Sequence, residues 1–189
     1  MIYIYIYIII MNKNYFIKYL KYKKKYLNLK GGAEESNCKE LNSILTNNVI
    51  GTGLESLLYL HKTDDTKCLK RYIILKERKL GAWSNRLNLI GGGYTKKDFI
   101  DKKLKPMILL MENNLGPTIY KVYYCDKYVY VLMDRINGKS LDELKDLTDY
   151  DNIIDIFKKK LKELGIDSSD FHKGNIMKNE SGDYLIVDW

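Results

Sequence analysis

The sequence predicts an α+β chain: a five-stranded antiparallel sheet with one intervening helix, then a hinge, further helices and a small hairpin. Three observations lead there. Short runs rich in β-branched and aromatic residues recur at 49–60, 67–74, 115–124 and 127–133, separated by turns bearing glycine or aspartate. Ile153, Ile154, Phe157, Leu161 and Leu164 fall on one helical face that stops at Gly165. A polar loop at 166–175 is followed by two apolar runs around the turn 179–183.

A chain of 189 residues can bury one substantial core, or one small lobe packed on part of another. The net charge of +8 is unevenly placed: residues 1–30 hold seven lysines and no acid, which leaves 25 basic against 24 acidic residues elsewhere. The basic signal therefore belongs to a leader and not to the domain, which is close to neutral. Cys38, Cys68 and Cys125 lie far apart with no CxxC pair, so they are expected to be reduced thiols of a cytoplasmic protein. Abundant Ile, Lys, Asn and Tyr with only two prolines fits translation of an AT-rich gene.

The alternating start, Met1 to Ile10, is too short for a membrane span and lacks a basic n-region and a cleavage site. Repeated AT dinucleotides encode Ile-Tyr-Ile-Tyr, so Met11 is the expected true start. From there Tyr15, Tyr19, Tyr22 and Tyr26 form an aromatic stripe opposite lysines, stopped by Gly31 and Gly32. Two readings are open: a packed or partly disordered leader, which is favoured, and a basic amphipathic contact for nucleic acid or a membrane surface at 11–30. This leader resembles the Lys- and Tyr-rich leaders of many proteins from large cytoplasmic DNA viruses. Residues 33–45 are polar and aperiodic, and are expected to be a linker.

The body then follows in order. Val49 to Leu60 is expected to be strand, glycine turn and strand, with Gly51 and Gly53 letting backbone amides approach a phosphate. A plain hairpin turn has the same pattern. The next strand, 67–74, places Lys70 seventeen positions after Gly53, suited to clamping phosphates; Lys76 competes for that role. Residues 77–94 form an insertion ending in Gly91, Gly92 and Gly93. Thr95 to Asp98 is a helix-capping box, and Pro106 must kink or restart the helix that follows. Strands at 115–124 and 127–133 precede a turn at 134–138, and Ser140 to Glu143 opens a short helix. The long amphipathic helix, 149–164, leads into the loop bearing Asp170.

Asp170, Asn175 five positions later, and Asp188 after the run Leu185-Ile186-Val187 form a set suited to phosphoryl transfer. One carboxylate orients the attacking hydroxyl, while the amide oxygen and the second carboxylate hold a hard cation. With Gly51, Gly53 and Lys70 upstream, the order from about Asn48 to Trp189 resembles the protein-kinase-like fold. The resemblance implies ATP and Mg2+ as cofactors and a protein or small-molecule hydroxyl as acceptor. It makes Gly51 and Gly53 the nucleotide-covering loop, and Lys70 the phosphate clamp. Met133 and Asp134 become the gatekeeper and first hinge residue at adenine, Asp170 the base, and Asn175 and Asp188 the metal ligands. The implied organisation is a leader at 1–32, a linker at 33–45, an N-lobe at 46–136 and an incomplete helical C-lobe at 137–189.

Departures from the pattern are specific. Ser168-Ser169 stands where His-Arg is usual, and the form Asp-x-His-x-x-Asn, with His172, is similar to aminoglycoside and choline phosphotransferases. No helix glutamate is placed to pair with Lys70; Asp98 and Asp101 are the nearest substitutes, beside Lys102 and Lys103. Trp189 replaces the phenylalanine of the Asp-Phe-Gly motif, and the chain stops there, so a shortened phosphotransferase or a kinase-like interaction module is expected, in the host cytoplasm or a virion.

Overall fold

The computed structural model describes residues 35–53, 55–74, 93–144, 149–169 and 171–188. The leader, Lys76, Gly91, Gly92, Asp170 and Trp189 lie outside the described residues. The fold is α+β, built on a five-stranded antiparallel sheet. Its strands are β1 (Leu45–Thr52), β2 (Ser56–His61), β3 (Lys67–Ile73), β4 (Ile119–Cys125) and β5 (Tyr128–Asp134), in the order β1-β2-β3-β5-β4. Central β3 and β5 pair from Lys67 with Asp134 to Ile73 with Tyr128. Alternation then sends Cys68, Tyr72, Val129, Val131 and Met133 to one buried cluster, and Leu69 and Tyr130 to another on the opposite face.

Helix α1 (Glu35–Ile44) occupies most of the stretch expected to be a linker, and is a correction. Its sequence is mostly polar, with a periodic signature of only three residues, Cys38, Leu41 and Ile44, on the face that meets the sheet. Leu41 is buried against the outer sheet face, and Glu40 accepts hydrogen bonds from Lys121 and Tyr123 of β4. Cys38 is joined to Cys125 by a disulfide across 87 residues, which corrects the expectation of three free thiols. Cys68 remains a thiol, and burial pushes its pKa up to about 12.

Helix α2 covers the inner sheet face as three continuous pieces: α-helical Lys96–Phe99, π-helical Ile100–Leu104 and α-helical Lys105–Glu112. Thr95 caps its start by accepting from the Asp98 amide, as the capping box predicts. Pro106 acts as expected: it has no amide to donate, its ring excludes the carbonyl four residues back, and the helix widens just before it.

After β5 the chain forms β6 (Gly138–Ser140), a 3-10 turn (Leu141–Glu143), α3 (Tyr150–Glu163), a second 3-10 turn (Lys173–Asn175), β7 (Ile176–Asn179) and β8 (Tyr184–Ile186). The capping box at Ser140 forms, with the Ser140 amide donating to Glu143 at 2.9 Å, but opens only a 3-10 turn among the described residues. Helix α3 ends as its sequence predicts. Gly165 takes φ +67°, its amide donates to the Lys162 carbonyl, and the Ile166 amide reaches back to Leu161. Phe157, Leu161, Ile166, Phe171, Ile176 and Ile186 then close a core around α3 and the β7–β8 hairpin. Among the described residues no helix is long and apolar enough to cross a membrane.

Strand β6 was not expected. It crosses β7 so closely that a Cβ on Gly138 would lie 2.0 Å from the Lys178 carbonyl oxygen. Backbone cannot move aside as a flexible side chain can, so Gly138→Ala is expected to destabilise the chain by about 2–3 kcal/mol. Chemical denaturation checks this, and a wild-type midpoint would contradict it.

Candidate functional site

Gly51 and Gly53 lie at the end of the β1–β2 hairpin, where register shifts between Leu45, Val49 and Gly51 bend the strand. The Gly53 amide donates to the Ser56 carbonyl at 2.9 Å, which closes the turn. A Cβ on Gly53 would meet its nearest neighbour only at 3.6 Å, so the protein's own packing does not demand glycine there.

Lys70 sits mid-strand on β3, opposite Leu58 and Val131. Its side chain points inward and is only 8 % exposed, so its charge needs a partner. That partner is Asp188, with Nζ to Oδ1 at 3.2 Å, and Nζ also donates to the Val187 carbonyl at 3.3 Å. The helix acids expected to pair with Lys70 are engaged elsewhere. Asp98 accepts from the Thr95 hydroxyl at 2.7 Å and pairs with Lys102, while Asp101 pairs with Lys105 at 2.5 Å.

Asp188 is delivered by backbone anchoring just before it. The Ile186 amide donates to the Leu115 carbonyl at 2.7 Å, and the Val187 amide to the Asn175 carbonyl at 2.9 Å. This last bond sets the Asn175 loop directly beside the Asp188 strand. Asn175 is nearly buried, and its Oδ1 accepts from the His172 amide at 2.8 Å. His172 Nδ1 in turn accepts from the Gly174 amide at 3.0 Å, so the Asp-x-His-x-x-Asn loop closes as a capped turn. Asp170 lies outside the described residues.

Met133 is buried at the end of β5. Asp134 directs its carboxylate away to the Tyr120 hydroxyl at 2.5 Å and the Thr118 amide at 3.2 Å, while its carbonyl accepts from the Cys68 thiol at 3.5 Å. Gly51, Gly53, Lys70, Met133, Asp134 and Asp188 all line one cavity of about 440 Å3. Leu58, Cys68, Met177 and Val187 add apolar wall. A larger groove of about 890 Å3 lies between loop 114–118, α3 and the β7–β8 turn, and Asp134 alone of these predicted residues borders it.

Sequence reasoning missed a second polar cluster. Lys103 of α2 lies 2.9 Å from Glu55 of the β1–β2 turn, and the Tyr94 hydroxyl donates to the same carboxylate. Burial opposes ionisation of Glu55, but the bonds from Tyr94 and Lys103 outweigh it and hold the carboxyl below its ordinary value. The available signal was Pro106, which disturbs the helix where Lys103 lies. Among the described residues no three His, Cys, Asp or Glu side chains group closely enough to hold a metal. No protein-family model matches the chain, and no curated protein matches it.

Proposed function

We propose that the chain is an ATP-dependent phosphotransferase of protein-kinase-like, two-lobed architecture, resembling a serine/threonine kinase and acting from Mg-ATP on a hydroxyl group. The observation that supports this reading is the convergence of two turn glycines, a buried lysine and an aspartate on one cavity of about 440 Å3. That volume is in the range of small-molecule sites, roughly 300–1,000 Å3. Lys70 clamps phosphate oxygens as a point charge, and the strand ends at Met133 and Asp134 border adenine. Asp188 would hold Mg2+ at the cavity wall; Asn175, the second ligand the resemblance implies, does not line the cavity and its Oδ1 already accepts from the His172 amide, so it would serve only through its remaining lone pair. Two hard oxygen donors suffice, because Mg2+ keeps waters and substrate phosphates as its other ligands. Bound there, the ion neutralises charge on the phosphates. The base role of Asp170 rests on its place in the sequence.

Saturating Mg-ATP is expected to raise the melting temperature, since ligand at 100 times its Kd adds about 2.7 kcal/mol. Asp188→Asn should bind ATP without dependence on Mg2+. No thermal shift in the wild-type chain would sink the proposal.

His172 is built into the catalytic loop as a cap, which favours a small-molecule kinase as the second reading. The groove beside α3, with Ile156 47 % exposed, favours a kinase-like interaction module as the third. Mg-ATP binding without phosphate release would select the module. The cytoplasm is the location this reading takes, and the Cys38–Cys125 bond stands against it, since a reducing thiol pool keeps most cytoplasmic cysteines free.

A further inference from the structure

Two groups from the 94–104 stretch meet on the Glu55 carboxylate, from far along the chain. Glu55 belongs to the β1–β2 turn; Tyr94 is fixed by the hydrogen bond its amide donates to the Ile73 carbonyl at 2.9 Å; Lys103 comes from helix α2. The Lys103 side chain is only 12 % exposed, against 44 % for Glu55. A lysine so nearly buried is costly without a carboxylate, whereas a glutamate in an open turn needs no partner. The geometry therefore brings the turn to the helix.

The route from sequence to this placement runs through Pro106. The widened turn before it has the Lys105 amide donating to the Ile100 carbonyl, five residues back. One extra residue in the turn rotates the side chains: Asp101 and Lys105 pair on the outside, and Lys103 faces inward, its Nζ 5.9 Å from the centre of the Tyr94 ring. Single π-helical turns of this kind occur frequently at functional sites.

We propose that Lys103 is a positioning residue that latches the β1–β2 turn to helix α2 through Glu55, holding the turn over the cavity that contains Lys70 and Asp188. The latch reverses the polarity of the pair sought in the sequence, a helix acid for Lys70: here the helix supplies the cation and the turn supplies the acid. Its consequence for ligand binding rests on the nucleotide reading above. With the latch intact, the turn amides are held in place before phosphates arrive, so less ordering is left to binding.

The test uses the full chain with Lys103→Met, Glu55→Gln and the exchange Glu55→Lys/Lys103→Glu. In the unliganded protein, amide hydrogen exchange at 51–56 is expected to quicken about tenfold in Lys103→Met and Glu55→Gln, and to slow again in the exchanged pair. For Mg-ATP, Kd should rise about tenfold in the single variants while adenosine, which has no phosphates, changes less than about twofold. Unaltered exchange at 51–56 in both single variants overturns the latch whether or not nucleotide binds. Faster exchange with wild-type Mg-ATP affinity overturns its link to the ligand. A wild-type chain that binds neither Mg-ATP nor adenosine removes the nucleotide reading alone, and the exchange result still decides on the latch. Glu55 lies in an exposed turn, so Glu55→Gln keeps the test valid should Lys103→Met fail to fold.

Discussion

Lys70→Met is expected, on the phosphotransferase reading proposed above, to lower phosphate release from Mg-ATP by at least about 100-fold, the loss typical when one preorganised charge is removed from a transition state. Methionine fills a similar length of the buried strand position, so the sheet keeps its packing. The removed charge is the one that Asp188 faces at 3.2 Å. Asp188 is 44 % exposed, so water can solvate the carboxylate once its partner is gone, and the ion pair contributes little to stability. Stability and turnover should therefore separate, with turnover collapsing while the melting temperature in the absence of nucleotide moves by only a few degrees. Lys70→Arg should not restore activity, because a planar fork does not replace a compact ammonium in a narrow strand site. A Met variant with wild-type turnover would remove Lys70 from the chemistry.

Reducing the Cys38–Cys125 bond is expected to cost about 2–4 kcal/mol, close to a 10 °C drop in melting temperature for a chain of this size. The bond joins residues 87 apart, and on the chain-entropy view a loop of that length restricts the unfolded state strongly. It also fastens α1. Without it, that helix keeps the burial of Leu41 and the contacts of Glu40 with Lys121 and Tyr123. Amide exchange in 35–44 should rise more than exchange in β3 and β5, because the core under α2 makes no use of the bond. Cys38→Ser should reproduce the effect of dithiothreitol. Identical melting curves before and after reduction, with thiol labelling proving the bond open, would contradict this.

Several features were readable in the chain because they are written within a few residues. β5 announces itself by Tyr128, Val129, Tyr130 and Val131. Helix α3 does so by its apolar stripe and by Gly165, whose positive φ ends it. Thr95 and Asp98 mark a helix start, and Pro106 marks where α-helical winding resumes after a π-helical turn. Gly51, Gly53, Lys70 and Asp188 were selected by motif and spacing, Met133 and Asp134 by the kinase-like resemblance, and the six share one cavity.

Other features needed the folded molecule. Helix α1 presents only a short stripe, Cys38, Leu41 and Ile44, and depends on that packing and a covalent tie. β6 exists because Gly138 lets two backbones touch. The acid facing Lys70 could not be chosen from sequence: Asp98 and Asp101 lie on the right helix, but their nearest cations are Lys102 and Lys105.

The sequence by itself determined the central strands, the start and stop of helix α3, the capped start of α2, and which residues were candidates for one site; it missed α1 and β6 and placed the starts of β1 and β4 four residues from where they lie. Only the tertiary structure decided the partners: Asp188 for Lys70, Glu55 for Lys103, Cys125 for Cys38. The physical reason is range. Alternation, capping and ring constraints act between neighbours, whereas an ion pair or disulfide between distant residues forms only after packing has brought their segments within a few ångströms.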